Sequence, residues 1–568
     1  MPATRWITLA GLSLVAVVLG LLGFERLPDG DAWSFGDSLH RSIQLFVLES
    51  GAVAPPVPWE LEVARMLAPA LTVAAAVLAA TALFREQLRQ LAVRLRARDH
   101  VVVAGAGSKG FQLARRLREQ GEAVVVVERD PTSPGAEGCR VRGIPLIAGD
   151  ATDTRILERA ALERARRLFV LCGDDGTNAD VAFAARQAAG AGRGLDSFVH
   201  LDDLDLWRHL QGHELATASG SPVRTEFFNV ADAAARLLLE RHPPFERGAA
   251  NPHIIVCGTE GIGESVALHA ARASLAGRRE AGAPANDGAA RLRVTICGPD
   301  ASADRTLLLA RHPGLTRLCD VGTLELHAGG LAEPPSDLPP PTAVYVCVAS
   351  EARGVTLALA LRASGTAGSV PVVVTVRDED EGMATALHPR GGVVPFGVIT
   401  RVMTSDLVTR GTVEVLARAK HAQYVRDERG RGQTPASNPS MAPWHALDES
   451  LRQSNRRFAE GVGQKLRSAG IAVVPAPLAD PSRADEILPD EQVEELAIGE
   501  HDRWCEDLIA DGWRQGPGPK DPERKLHPSL VPWSELSEEE RDKDREPVRA
   551  LPEMLAHVGF ELQLPAAG

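Results

Sequence analysis

Gly105, Gly107 and Gly110, followed by Glu128, form a constellation suited to one kind of chemistry, the holding of a dinucleotide. In "VVVAGAGSKGFQLARRLREQGEAVVVVERD", Gly105 permits a tight turn, Gly107 lets a pyrophosphate approach the backbone, and Gly110 lets a helix pack closely on a strand. The N–H groups at the start of that helix, on Ser108 and Lys109, face the phosphates. Glu128, roughly 20 residues on, stands where a carboxylate accepts the hydroxyls of a ribose. Arg129 beside it would instead suit a 2′-phosphate, so NAD(H), NADP and ATP all stay open as ligands.

These residues need a rigid frame, and the sequence supplies one. "HVVVAG" reads as a buried strand, "FQLARRLREQ" as a helix and "EAVVVVERD" as the next strand, a complete βαβ unit. Strand and helix patterns keep alternating through "IPLIAGDATD", "RRLFVLCGDDGTNADVAFAARQ" and "DSFVHLDD", as in an α/β doubly wound parallel sheet. A second copy follows in "NPHIIVCGTEGIGESVALHAAR", "RLRVTICGPD", "AVYVCVASEARGVTLALALR" and "VPVVVTVRDED". The expected architecture is therefore two tandem Rossmann-like lobes, residues 100–245 and 251–425. The second copy has decayed: Gly258 and Gly263 keep the outer loop positions, but Glu260 takes the middle one, where its charge would repel a pyrophosphate. "CGPD" lacks a counterpart of Glu128, and "LHAGG" stands where the first copy has "GDAT".

The Gly105–Gly110 loop, Glu128, "GDAT" at 149–152 and "GDDGTN" at 173–178 together resemble the TrkA-N, or RCK, domain. That family is the cytoplasmic nucleotide-sensing module of potassium transporters and channels. The resemblance implies that Asp150, with Ala151 beside it, lines a nucleotide pocket. A turn or cap role for Asp150 is the competing reading.

Beyond a polar stretch at 426–440, which reads as a flexible linker, a mainly helical module is expected over 441–562. Val493, Leu496, Ala497, Trp504 and Leu508 share one helical stripe. Glu500, His501, Trp504, Gly512 and Trp513, Lys525, "HPSLVPW" from His527, "LSEEERDKDR" and a closing aliphatic helix with "GF" resemble the RyR domain, the repeat named after ryanodine receptors. Aromatic rings beside His501, Lys525 and His527 would suit an unidentified anionic, nucleotide-like small molecule through stacking and charge. Core packing is the alternative for Trp504, and a bond to a backbone carbonyl is the alternative for His501.

The first 99 residues read as a membrane region. Ile7 to Phe24 is 18 uncharged residues and Met66 to Phe84 is 19, which places spanning helices at about 7–24 and 63–84. Between them Leu39, Ile43, Phe46 and Val47 share a helical face, fitting an interfacial helix or a pore helix, although "AVAPPVPWE" is not a carbonyl-lined ion filter. Arg85, Arg89, Arg94, Arg96 and Arg98 crowd a helical connector over 85–99. By the positive-inside rule they place both termini and residues 85–568 in the cytoplasm of a two-pass protein at the cell membrane.

Composition bounds what remains. A net charge of −13 argues against a nucleic-acid partner, which needs a basic face. Seven scattered cysteines without a CxxC suit buried thiols in a reducing compartment, and no metal-ligand motif appears. A dehydrogenase would need a substrate domain and a proton-handling residue beside its nicotinamide, and the sequence offers neither. The expectation is a non-enzymatic, membrane-anchored ligand sensor that regulates potassium or other ion transport, homo-oligomeric and partnered with a transporter or channel subunit. Two alternatives stand: a gated channel whose own helices build the pore, and an NAD(P)-dependent oxidoreductase.

Overall fold

The computed structural model describes residues 2–27, 33–47, 53, 55–83, 93–95, 97–190, 194–216, 223–246, 249, 251–280, 291–327, 330–331, 338–379, 382–387, 391–403, 412–476, 478, 488–519, 521 and 523–564. It divides into two compact units, Met1–Arg96 and Ala97–Gly568.

The first unit holds α1 (Pro2–Glu25), α2 (Phe35–Gln44) and α3 (Trp59–Leu83). Stretches Trp6–Glu25 and Trp59–Ala80 are long and apolar enough to cross a membrane. Small residues let these helices touch: a Cβ on Gly23 would lie 2.6 Å from Leu61, and one on Gly20 would lie 2.8 Å from the Ser42 hydroxyl. α2 accordingly turns Ser38, Ser42 and, just beyond it, Leu45 inward, leaving Ile43 and Val47 exposed. Much of the expected connector, including Arg85, Arg89 and Arg96, lies outside the described residues; Arg94 and Arg98 are exposed.

The second unit begins with six strands and their crossover helices: β1 (Val101–Ala104), α4 (Ser108–Glu119), β2 (Val124–Glu128), α5 (Pro134–Val141), β3 (Leu146–Ala148), α6 (Thr154–Arg159), β4 (Arg167–Val170), α7 (Asp175–Ala189), β5 (Leu195–His200), α8 (Leu204–Ala216), β6 (Val223–Phe228) and α9 (Val230–Arg241). The sheet runs β3-β2-β1-β4-β5-β6 and is parallel throughout. β1, with Val101, Val102 and Val103 wholly buried, is covered on both faces, as a central parallel strand must be. The order reverses between β1 and β4, which opens a crevice at their carboxyl ends.

The second lobe repeats the plan with β7 (His253–Cys257), α10 (Ile262–Glu280), β8 (Leu292–Gly298), α11 (Ala301–Arg311), α12 (Leu315–Leu318), β9 (Cys319–His327), β10 (Gly330–Leu331), β11 (Ala343–Val346), α13 (Glu351–Ala363), β12 (Val372–Val376), α14 (Met383–Leu387), β13 (Val393–Gly397) and α15 (Val398–Val402). Its sheet runs β10-β9-β8-β7-β11-β12-β13, parallel except for the β10 edge. α9 packs on α10, so the lobes share one apolar core. Charges cross that join: His269 bonds Asp232 at 2.8 Å, and the buried Glu264 bonds His312 at 2.9 Å with Arg208 3.5 Å away.

α16 (Thr412–Gly430), α17 (Glu449–Ser468), β14 (Ala472–Pro475), α18 (Asp490–Ala510), β15 (Arg514–Gln515), β16 (Leu526–His527), α19 (Glu538–Arg549), α20 (Leu551–Val558) and β17 (Phe560–Gln563) complete the chain. This module is mainly helical around Phe458, Leu466, Leu496, Leu555 and Phe560. The reading of 426–440 as a flexible linker does not hold for its local structure. α16 continues to Gly430 and buries Leu416 and Ala417 in the module's core. Arg431 then forks onto Glu546 at 2.6 and 2.8 Å, and Asn438 bonds Tyr424 at 2.9 Å, so polar composition here builds hydrogen-bonded turns.

Candidate functional site

The first glycine loop sits where the topology requires it, beyond the carboxyl end of β1. Gly105 adopts φ +95°, and a Cβ there would come within 2.5 Å of the Leu171 carbonyl oxygen. Gly110 lies behind the loop; its Cβ would strike the Gly105 carbonyl oxygen at 2.0 Å. Gly107 has open space instead, and as N-cap of α4 it offers no side-chain acceptor. The helix's first N–H groups are thus left for an anion.

They open onto a cavity of about 410 Å³, ample for part or most of a nucleotide. Gly105, Gly107, Ser108, Lys109, Glu128, Arg129, Asp150 and Ala151 all line it. Glu128 does more than stand at the strand end: one carboxylate oxygen accepts the Ala106 N–H at 2.5 Å and the other the Asp130 N–H at 2.9 Å. It therefore pins the glycine loop to β2. Asp150 lines the cavity and also makes a turn, its Oδ1 accepting the Thr152 N–H at 2.9 Å and hydroxyl at 2.8 Å. Those bonds hold its carboxyl below the usual range.

Other walls arrive from elements that sequence reasoning left out of the site. Ser133 comes from the cap of α5, Cys172 to Asp174 from the β4–α7 turn, Thr177 from the first turn of α7, and Asp202 from just beyond β5. Asn178 ties these turns together, accepting the Cys172 N–H at 2.7 Å and donating to the His200 carbonyl at 3.0 Å. The "GDDGTN" motif was the available signal, and only its distance along the chain hid the contact. Lys109 donates to Asp202 at 2.7 Å and to His200 at 3.2 Å. Burial, with the Lys109 charge beside it, lowers His200 to about 4, so a neutral imidazole accepts that bond. Burial also pushes the Cys172 thiol up to about 12, leaving it protonated at neutral pH.

The second loop keeps the scaffold. Gly258 adopts φ +85°, and a Cβ on Gly263 would meet the Gly258 carbonyl oxygen at 1.8 Å. Its surroundings differ. Gly298, paired with Glu325, ends β8 where Glu128 ends β2, and Glu325 caps α11 by accepting the Ala301 and Ser302 N–H groups at 3.2 and 2.9 Å. Burial, with Asp300, Glu260 and Glu325 nearby, raises the Asp304 carboxyl. Carboxylates crowd the ground a phosphate would need.

In the C-terminal module the candidates separate. His501 is buried, with Nε2 2.8 Å from the Val531 carbonyl and Nδ1 3.3 Å from Asp544, which is the core arrangement. Burial raises Asp544 to about 6. Trp504 and His527 meet edge to face at 4.9 Å, and Trp513 lies 6.3 Å from His527, a half-buried aromatic group. Lys525 donates to the Asp511 carbonyl at 2.6 Å, at the C-terminus of α18, where a cation favours the helix dipole. A buried cluster went unread in the sequence: Glu500 pairs with Lys465 and Arg503, while Lys420 and Lys465 lie 3.8 and 4.3 Å from the centre of the Phe458 ring. Burial alone would raise Glu500, but Lys465, Arg503 and Lys420 hold it down to about 2.

Residues 101–195 match the TrkA-N domain and residues 488–564 the RyR domain. The chain carries a TrkA-N domain and a RyR domain. The Trk system potassium uptake protein TrkA of Streptomyces coelicolor is 34% identical over 91 residues, covering 16% of this chain and 40% of that protein. A TrkA homolog from Pyrococcus horikoshii is 33% identical over 79 residues, covering 14% of this chain and 34% of its own length. The chain thus spans well under half the length of these relatives. Among solved structures, GsuK bound to ADP aligns with TM-score 0.35 and 15% identity over 72% of this chain and 98% of that one. The GsuK channel bound to NAD aligns with TM-score 0.32 and 13% identity, covering 87% and 89%. The TrkA-N match stops at β5, so α8 and the second lobe extend beyond it, and the RyR match leaves out α16, α17 and β14, which complete that module's core.

Proposed function

We propose that this chain is a membrane-anchored sensor whose TrkA-N lobe binds an adenine nucleotide of the NAD(H) type and regulates the transport of potassium or another ion. One observation carries the reading: an open glycine loop, a free helix N-terminus and Glu128 converge on a single cavity at the β1/β4 switch point. Potassium enters through the names of the TrkA relatives. Both termini and residues 85–568 would lie in the cytoplasm, with the RyR domain sensing a second ligand or partner and the chain acting as a homo-oligomer beside a transporter subunit. Calorimetry on the detergent-solubilised chain with NAD, NADH, NADPH and ATP tests the site; saturable binding of one of them is expected, and binding of none removes the reading. Turnover assays for hydride transfer address the oxidoreductase alternative in the same samples.

A second reading, a pore built by the chain's own helices, draws on the first unit. α2 is seated against α1 through Gly20 and Ser42, and the Thr72 hydroxyl of α3 donates to the Phe46 carbonyl at 2.9 Å. Nucleotide-dependent ion flux in vesicles holding this chain alone would establish that reading; flux that requires an added transporter would favour the first.

A further inference from the structure

Asp202 belongs to two places at once. Its carboxylate lines the nucleotide cavity and accepts from Lys109 at 2.7 Å. Its backbone N–H, with that of Asp203, donates to Asp175 at 2.7 and 2.9 Å, and Asp203 in turn caps the first turn of α8 by accepting from Asp205 and Leu206 at 2.9 and 2.8 Å. Three groups therefore hold the entry to α8: the Asp175 carboxylate, the Asn229 amide, which donates to the Asp202 carbonyl at 3.1 Å, and the Lys109 ammonium, the one of the three that also lines the cavity.

α8 is also the platform for the C-terminal module, packing on β14 and α17. Around it Arg224 of β6 donates to Glu460 of α17 at 2.6 Å, Leu478 packs on the core shared by the lobes, and a Cβ on Gly559 would lie 2.7 Å from the Arg272 guanidinium. The same helix thus carries the cavity wall at its N-terminus and the RyR-containing module along its body.

We infer that nucleotide binding and docking of the RyR-containing module oppose each other through α8. The inference rests on the nucleotide reading of the TrkA-N lobe. Lys109 stands in the first turn of α4 and lines the cavity, so a bound phosphate draws the ammonium away from Asp202 and removes one of the anchors of α8. The docked module needs α8 held in place. By linkage, whatever the ligand does to docking, docking does to the ligand by the same factor, and such couplings run to about 5- to 150-fold.

The test uses the full chain in detergent with NAD as probe. Undocking by Arg224→Glu together with Leu478→Asp is expected to tighten NAD binding about fivefold or more. Arg224→Lys keeps a cation facing both Glu460 and Asp196 and is expected to bind NAD as the parent does. Hydrogen exchange guards against a misfolded variant: in the unmodified chain, saturating NAD should speed exchange in 204–216 and 472–475. Equal or weaker NAD affinity in the undocked variant, or exchange changes confined to the cavity walls, would overturn the coupling while leaving the site intact. Absence of NAD binding by calorimetry would overturn the coupling as stated for NAD, and absence of binding by NADH, NADPH and ATP as well would remove the site with it.

Discussion

The two glycine loops have the same backbone and opposite surroundings. Both place their first glycine at positive φ, and both need a glycine where the next helix crosses the strand end. In the first lobe the middle position is Gly107, facing open space, and the α4 N-terminus is uncapped by any side chain. In the second the corresponding ground is held by Glu260, while Glu325 occupies the N-terminus of α11. Glycines preserved for packing therefore say nothing about ligand; the residue types around them decide it.

The sharpest break is Gly107→Asp. The side chain enters empty space, so the fold should survive with an unchanged thermal midpoint, while NAD affinity falls at least about 1,000-fold, some 4 kcal/mol. Retained affinity would show that the cavity is not the site. Next come the paired substitutions Gly110→Ala and Gly263→Ala. Each new Cβ collides with a carbonyl oxygen of its own loop, so each should cost about 3 kcal/mol in denaturant unfolding. A large cost in one lobe and none in the other would mean that the scaffolds are not equivalent. Glu260→Gly restores the glycine pattern, yet Glu325 and Asp300 remain, so calorimetric stoichiometry should stay at one nucleotide per chain. A second equivalent would place the whole difference in Glu260.

The smallest effect concerns pH. Asp304 has its folded-state carboxyl raised, so at pH 7 it is ionised at a cost that is relieved as pH falls through that raised value. Asp304→Asn should raise the thermal midpoint by about 1 °C at neutral pH, and the gain should fade in acid. Asp150 has the opposite sign: its bonds to Thr152 contribute stability at neutral pH that is lost as pH falls through its depressed value. Thermal scans from pH 7 to pH 3 of Asp304→Asn and Asp150→Asn would separate the two lobes.

Much of this was legible because it is local. The turn of Gly105, the packing of Gly110 and the strand-end position of Glu128 follow from spacing within one βαβ unit, and the alternation of valine-rich runs with helices gives the parallel sheets. What could not be read depends on strand order. Thr177 and Asp202 reach the cavity only because β4 lies beside β1 in the sheet and β5 beside β4. The stretch 426–440 misled because polar composition does not distinguish a solvated spacer from a helix end with side-chain-bonded turns. Lys420 and Lys465 lie far apart in the chain, and their approach to one Phe458 ring is a product of tertiary packing.

α16 carries a consequence for how the molecule is made. Leu416 and Ala417 need Phe560 and its neighbours to complete their core, yet that partner leaves the ribosome roughly 140 residues later, on the order of 10 s at ordinary rates of synthesis. The lobes can mature first, while the helix that carries Leu416 and Ala417 waits without its core. The module is then closed by the last strand, β17, which pairs antiparallel with β14 from Ala472 to Pro475. A chain halted before Phe560 would leave this apolar surface open beside folded lobes, so premature termination here should be marked by chaperone capture rather than by loss of the lobes.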